Sequence, residues 1–164
     1  MKLFIMRHGP AEDESPDGQD ASRTLTKSGR ERVYEVARKL KDAGELPTTI
    51  CSSPLARAKE TAEILKEVLS IELSLATLLA PGQKSIELVK QLRKEGTDNV
   101  ILVGHEPDLS LLSVRLLGHA LPTGGFSKAM VLGLSFDDNH ESSLRFLLDP
   151  KSLQFVVDHR ADEK

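Results

Sequence analysis

Four residues in this chain have the types and spacing to handle a phosphoryl group. They are Arg7 and His8 in "FIMRHG", Arg57 in "SSPLARAKETA" and His105 in "LVGHEP". Each lies at or shortly after a short apolar run of the kind that forms a buried strand. Guanidinium forks match phosphate oxygens and stay charged at any ordinary pH. A histidine among such cations is held neutral, because nearby like charge disfavours imidazolium. A neutral imidazole nitrogen is a nucleophile. The set reads as a phosphate cradle around an imidazole able to attack phosphorus. One strand end carries both the attacking group, His8, and one clamp, Arg7.

Such a set needs strands to deliver it and helices to brace it. Residues 2–6 (KLFIM) read as a buried strand, and 10–25 as a polar loop of a length that is uncommon unless it works at a site. A helix is predicted from an N-cap at Thr26, with Val33, Val36, Ala37 and Leu40 on one face and Gly44 as its stop. Residues 48–51 (TTIC) read as a short strand. Ser53 and Pro54 read as the cap and first position of a second helix, which puts Arg57 one turn in, where free N–H groups and the helix dipole favour an anion. Residues 71–79 fit either a strand or an extended loop. Residues 83–94 read as helix, 99–103 (NVILV) as a buried strand, and a helix starts at Pro107 and stops at Gly118. The runs 129–136 and 143–148 read as strands. Strands alternating with helices predict an α/β fold with a mainly parallel sheet and at least one antiparallel late strand. In such sheets ligands bind beyond the carboxyl ends of the strands, where all four residues would converge.

The totals narrow the setting. The 164 residues suit one domain over 1–164, and 22 Lys plus Arg against 25 Asp plus Glu give a net charge of −3. That balance argues against a broad nucleic-acid surface. No apolar run approaches the roughly 20 residues of a membrane span, and the first one ends at Arg7, too early for a signal peptide. The single cysteine, Cys51, has no internal partner, which agrees with a reducing compartment. The expectation is a cytoplasmic monomer with neither nucleic-acid nor membrane partner.

Taken together, "MRHG", "LT..G" before the first helix, "SSPLARAKETA" and "LVGHEP" resemble the histidine phosphatase superfamily over residues 3 to about 118. Within it, "DASRTLTKSGRERV" is most similar to the short SixA-type phosphohistidine phosphatases. The resemblance implies a three-layer α/β/α fold of the phosphoglycerate mutase-like kind, no metal or other cofactor, and a phosphohistidine enzyme intermediate. It implies His8 as nucleophile, with Arg7, Arg57 and His105 holding the phosphoryl group. The Gly9 carbonyl would set the His8 tautomer, and Asp20 becomes a candidate proton shuttle. Only 47 residues, 58 to 104, separate Arg57 from His105, which leaves little for a lid and suits a phosphohistidine displayed on another protein. Its P–N bond is labile, so it asks less of an acid than an alcohol phosphate does. The alternative is a small metal-independent phosphoesterase of the same superfamily, acting on a small phosphorylated substrate. Glu72 and Glu87 are then the remaining acidic candidates.

Other features have plainer readings. "CSSPLAR" fits Cys-x5-Arg, the signature of cysteine-dependent phosphatases, but Pro54 lacks an N–H, no glycine opens the loop, and Cys51 reads as a buried strand residue. "HEPD" at 105–108 lacks a second His or Cys cluster to complete a metal site. The acidic stretch Glu12, Asp13, Glu14 and Asp17 reads as solvated surface, as do His119, His140 and His159.

Overall fold

The computed structural model describes residues 1–156; His159 and the tail "HRADEK" lie outside them. Among the described residues, one sheet of seven strands forms, in the order β3-β2-β4-β1-β5-β6-β7. The strands are β1 (Lys2–Arg7), β2 (Thr49–Ser52), β3 (Glu72–Leu75), β4 (Val100–Gly104), β5 (Val131–Phe136), β6 (Ser142–Leu148) and β7 (Phe155–Val156). The pairs β1–β4, β4–β2 and β2–β3 are parallel. The pairs β1–β5, β5–β6 and β6–β7 are antiparallel. Only β5 and β7 therefore oppose the direction of β1, so the sheet is mainly parallel as predicted. The segment 71–79, open in the sequence, forms the edge strand β3 and a 3-10 turn at Thr77–Leu79.

Among the described residues, four α-helices cover the two faces. They are α1 (Lys27–Asp42), α2 (Ala56–Leu69), α3 (Ser85–Lys94) and α4 (Asp108–Leu117). Val33, Val36, Ala37 and Leu40 of α1 and Ala58, Ala62 and Leu65 of α2 pack on Phe4, Met6, Ile50, Ile101 and Val103. Leu88, Val89 and Leu92 of α3 and Leu109 and Leu112 of α4 pack on Leu3, Ile5, Val100 and Leu102. The alternation within β1 and β4 serves both cores, because successive side chains leave a strand on opposite faces. These side chains are almost wholly buried, and each Val, Leu, Ile, Met or Phe among them contributes about 1.5–3 kcal/mol. This two-sided packing makes the strand ends a rigid platform.

The predicted cap of α1 is present: Thr26 Oγ1 accepts the Gly29 N–H at 2.9 Å. The start of α2 differs from expectation. The helix begins at Ala56, with extended Leu55 as its cap. Ser53 instead continues the sheet, its N–H reaching the Val103 carbonyl at 3.0 Å, and its hydroxyl meets His105 at 2.7 Å. Similarly, Pro107 sits at the cap of α4 rather than inside it.

Candidate active site

β1 and β4 are neighbours, with Arg7 opposite Gly104 in register, so His8 and His105 leave the sheet side by side. Their ring centroids are 5.2 Å apart with planes tilted by 53°. Arg57 enters from the first turn of α2, and its side chain is only 7% exposed. Arg7, His8, Asp20, Arg57 and His105 all line one cleft of about 340 Å³, together with Arg23, Glu106 and Lys128.

The His8 ring is fixed by its neighbour. Its Nδ1 lies 2.7 Å from the Gly9 carbonyl oxygen. A carbonyl can only accept, so Nδ1 carries the proton and Nε2 keeps the lone pair. Gly9 is held in turn by its N–H on Thr61 Oγ1 at 3.1 Å, while the Thr61 hydroxyl donates to the Arg57 carbonyl at 2.8 Å. A larger residue at position 9 would have to push Val33 aside, since a Cβ would stand 2.6 Å from Val33 Cγ2. The strand end is also pinned by the segment before β5: the N–H of Ala129 donates to the carbonyls of Arg7 and His8 at 3.2 and 3.1 Å.

Both histidines are neutral at physiological pH. His8 is pushed down to about 3, first by burial, with His105, Arg57 and Arg7 adding to the effect against the Gly9 bond. His105 is pushed down to about 4 by burial and then by Arg57, with Asp20 opposing. His105 Nε2 is engaged by Ser53, while its Nδ1 is buried without a hydrogen-bond partner. Arg7 donates through Nη1 to the Phe126 carbonyl at 2.8 Å. The Nε atoms of Arg7 and Arg57 are likewise buried and unpartnered.

The loop over 10–25 reaches the site as its length implied. Arg57 donates from Nη1 to the Asp20 carbonyl at 2.9 Å and from Nη2 to Asp20 Oδ2 at 3.1 Å. Arg23 Nε holds the other oxygen, Oδ1, at 2.9 Å. The Arg23 bond first, and Arg57 after it, keep the Asp20 carboxyl below the usual carboxylate range. Asp20 is therefore an ionised bridge between two arginines.

The other acidic candidates, Glu72 on β3 and Glu87 on α3, do not line the cleft. Glu106 does, and sequence reasoning passed over it by reading "HEPD" only as a metal motif. Its signal was adjacency to His105 just past a strand end. Ser53, Thr61, Arg23 and Lys128 were missed as well; Ser53 and Thr61 meet the site through partners 52 positions away. Cys51 faces the α3 side of the sheet beside Ser74, and burial pushes its thiol up. It does not line the cleft, so the Cys-x5-Arg reading has no geometry behind it. Glu12, Asp13, Glu14, Asp17, His119 and His140 are exposed, as expected.

A buried neutral imidazole with a free lone pair, ringed by cations at the carboxyl edge of an α/β sheet, is an arrangement suited to phosphoryl chemistry. Comparison with known proteins places the chain. The model of the histidine phosphatase superfamily (branch 1) matches residues 3–81. A protein of Picosynechococcus sp. described as uncharacterized is 35% identical over 142 residues, 82% of this chain and 84% of that one. The phosphohistidine phosphatase SixA homolog of Haemophilus influenzae is 27% identical, over 92% of this chain and 97% of that one. The solved structure of the protein histidine phosphatase SixA complexed with tungstate superposes with a TM-score of 0.83 at 25% identity, covering 94% of this chain and 100% of that one. This chain is a phosphatase and belongs to the histidine phosphatase superfamily, with its likeness on the SixA side.

Proposed function

We propose that the protein removes phosphoryl groups from phosphohistidine carried on a protein, by way of a phosphoryl group on His8. The observation that carries this is the His8 ring: Nδ1–H is tied to the Gly9 carbonyl and Nε2 is left with its lone pair inside a cationic cleft. In the first step Nε2 attacks phosphorus and the donor imidazole leaves. In the second, water takes the phosphoryl group from His8. Arg7 and Arg57 face the phosphoryl oxygens with a standing positive field, which is the main task in phosphoryl transfer. With Nε2 bound to Ser53, His105 would reach a phosphoryl oxygen through Nδ1. Asp20 holds the Arg57 fork and joins it to the 10–25 loop. The SixA relatives support the substrate class. Exposed Asp20 and Lys128 at the cleft suit a phosphate presented by another protein's surface. The single free cysteine suits a cytoplasmic setting.

The test incubates the purified protein in EDTA with a phosphohistidine-bearing carrier domain and, separately, an aryl phosphate, quenched early. We expect acid-labile, base-stable phosphate on the wild type and none on His8→Ala, with faster turnover of the carrier. Fast aryl phosphate turnover beside an inert carrier would move the function to a small phosphoesterase.

A further inference from the structure

Two carboxyl side chains stand in the wall of the cleft, Asp20 and Glu106. Both oxygens of Asp20 are occupied by guanidinium groups, Oδ1 by Arg23 and Oδ2 by Arg57. A carboxylate held this way gives or takes a proton poorly. Glu106 is fixed by neutral donors instead. Its Oε1 accepts the backbone N–H of Ser110 at 2.9 Å, and its Oε2 accepts the Ser110 hydroxyl at 2.6 Å. Each carboxyl oxygen has about two acceptor directions, so each keeps one for a second partner. The loop before β5 walls the group in: a Cβ on Gly125 would lie 3.2 Å from Glu106 Oε2 and 3.3 Å from Ser110 Oγ. The next residue of that loop, Phe126, takes the Arg7 guanidinium on its carbonyl. Glu106 is thus a half-buried carboxyl, oriented from two sides, one residue after His105 and lining the same cleft as His8.

We propose that Glu106 carries the proton in both halves of the reaction. The proposal rests on the reading of His8 as phosphoryl acceptor. In the first half, the bond from phosphorus to the donor breaks and its electron pair stays on the leaving atom. That atom takes the proton of the Glu106 carboxyl while Nε2 of His8 bonds to phosphorus. In the second half, a water oxygen attacks phosphorus, the P–Nε2 bond breaks and its pair returns to Nε2. The water proton passes to the Glu106 carboxylate, which restores the acid for the next turnover. The sum is hydrolysis of the donor, with no other reactant required. Asp20 in this scheme is a positioning residue acting through Arg57.

The experiment forms the phosphoenzyme on the full chain with radiolabelled phosphoramidate, a simple P–N donor, removes the excess and follows loss of label. General acid–base groups commonly contribute about 100- to 10,000-fold. Glu106→Gln should therefore retain label that decays at least about 100-fold more slowly than wild type. Glu106→Ala should decay equally slowly and be accelerated by added formate, a small carboxylate able to take the proton. Decay of Glu106→Gln at the wild-type rate would overturn the proposal. Slow decay of Glu106→Ala that formate does not move would overturn it too, because a purely structural role gives that pattern. If neither variant folds, Glu106→Asp decides, with intermediate decay in support and wild-type decay against. Absence of label from the wild type would instead remove the His8 reading, and this proposal with it.

Discussion

The cleft at the carboxyl ends of β1 and β4 holds about 340 Å³, while a hollow at the opposite end of the sheet, lined among others by Arg93, Asp98, Phe136 and His140, holds about 590 Å³. In the larger one the charges are answered locally. Asp98 accepts the Lys2 N–H at 2.9 Å, and Arg93 lies over the Phe136 ring at 4.6 Å. In the smaller one, Arg7 Nε, Arg57 Nε and His105 Nδ1 are buried with no partner. Leaving a buried polar group unsatisfied costs about 1–3 kcal/mol. A fold that keeps three of them at one spot is organised around something that binds there. Volume favours the larger hollow, while unsatisfied buried polar atoms single out the smaller cleft.

The contrast can be broken most sharply by truncating one arginine at each end. Arg57→Ala should lower turnover by about 100- to 1000-fold, the usual cost of removing one charge-stabilising group, with the far-ultraviolet circular dichroism unchanged. Arg93→Ala should leave turnover as it was. An equal effect of the two would dissolve the distinction.

A smaller effect is expected at Asp20. Replacing it with Asn removes a charge from the Arg57 bridge, worth about 1.5–3 kcal/mol for a charge-assisted bond and less at this exposed position. Binding of tungstate or orthophosphate by calorimetry should weaken by about tenfold. Unchanged affinity would detach the 10–25 loop from the site.

The buried histidines should also be visible as pH-dependent stability. Their folded values, about 3 for His8 and about 4 for His105, lie below the ordinary 6.5. Below pH 6.5 the unfolded chain binds protons that the folded one refuses, so stability falls with pH between about 6.5 and 4. Urea midpoints should drop between pH 7 and pH 5, and His8→Ala should show a shallower drop. A flat wild-type profile would mean the imidazoles are not held neutral. Finally, Gly9→Ala should destabilise the protein by about 1–3 kcal/mol through crowding against Val33, read from the same midpoints. Ala at Gly82, where no atom lies within 4 Å of the new Cβ, should instead show only the strain of its positive φ.

Much of this architecture is legible in local pattern. The i, i+3, i+4, i+7 stripe over Val33–Leu40, the Thr26 cap and the apolar run NVILV each carry their own signal, because the chemistry that makes the element lies within it. Arg7, His8, Arg57 and His105 could be named together because parallel strands deliver their ends to one edge. Ser53 misleads because two principles compete there. As a residue type it is a good helix cap, but its N–H is claimed by Val103 and its hydroxyl meets His105. The two-residue strand β7 is too short to have a period of its own.

The sequence by itself determined which side chains could do the chemistry and which strand ends carry them, since residue type and hydrophobic period are local properties. Only the tertiary structure decided which carboxyls stand beside them. Asp20, Glu72, Glu87 and Glu106 are alike as residues. Packing brings two arginines 3 and 37 positions away onto Asp20, puts Glu72 and Glu87 on elements away from the cleft, and lays Glu106 against Ser110 in its wall. That choice rests on where the fold sets each element relative to the cleft, and the chain order of the four residues does not contain it.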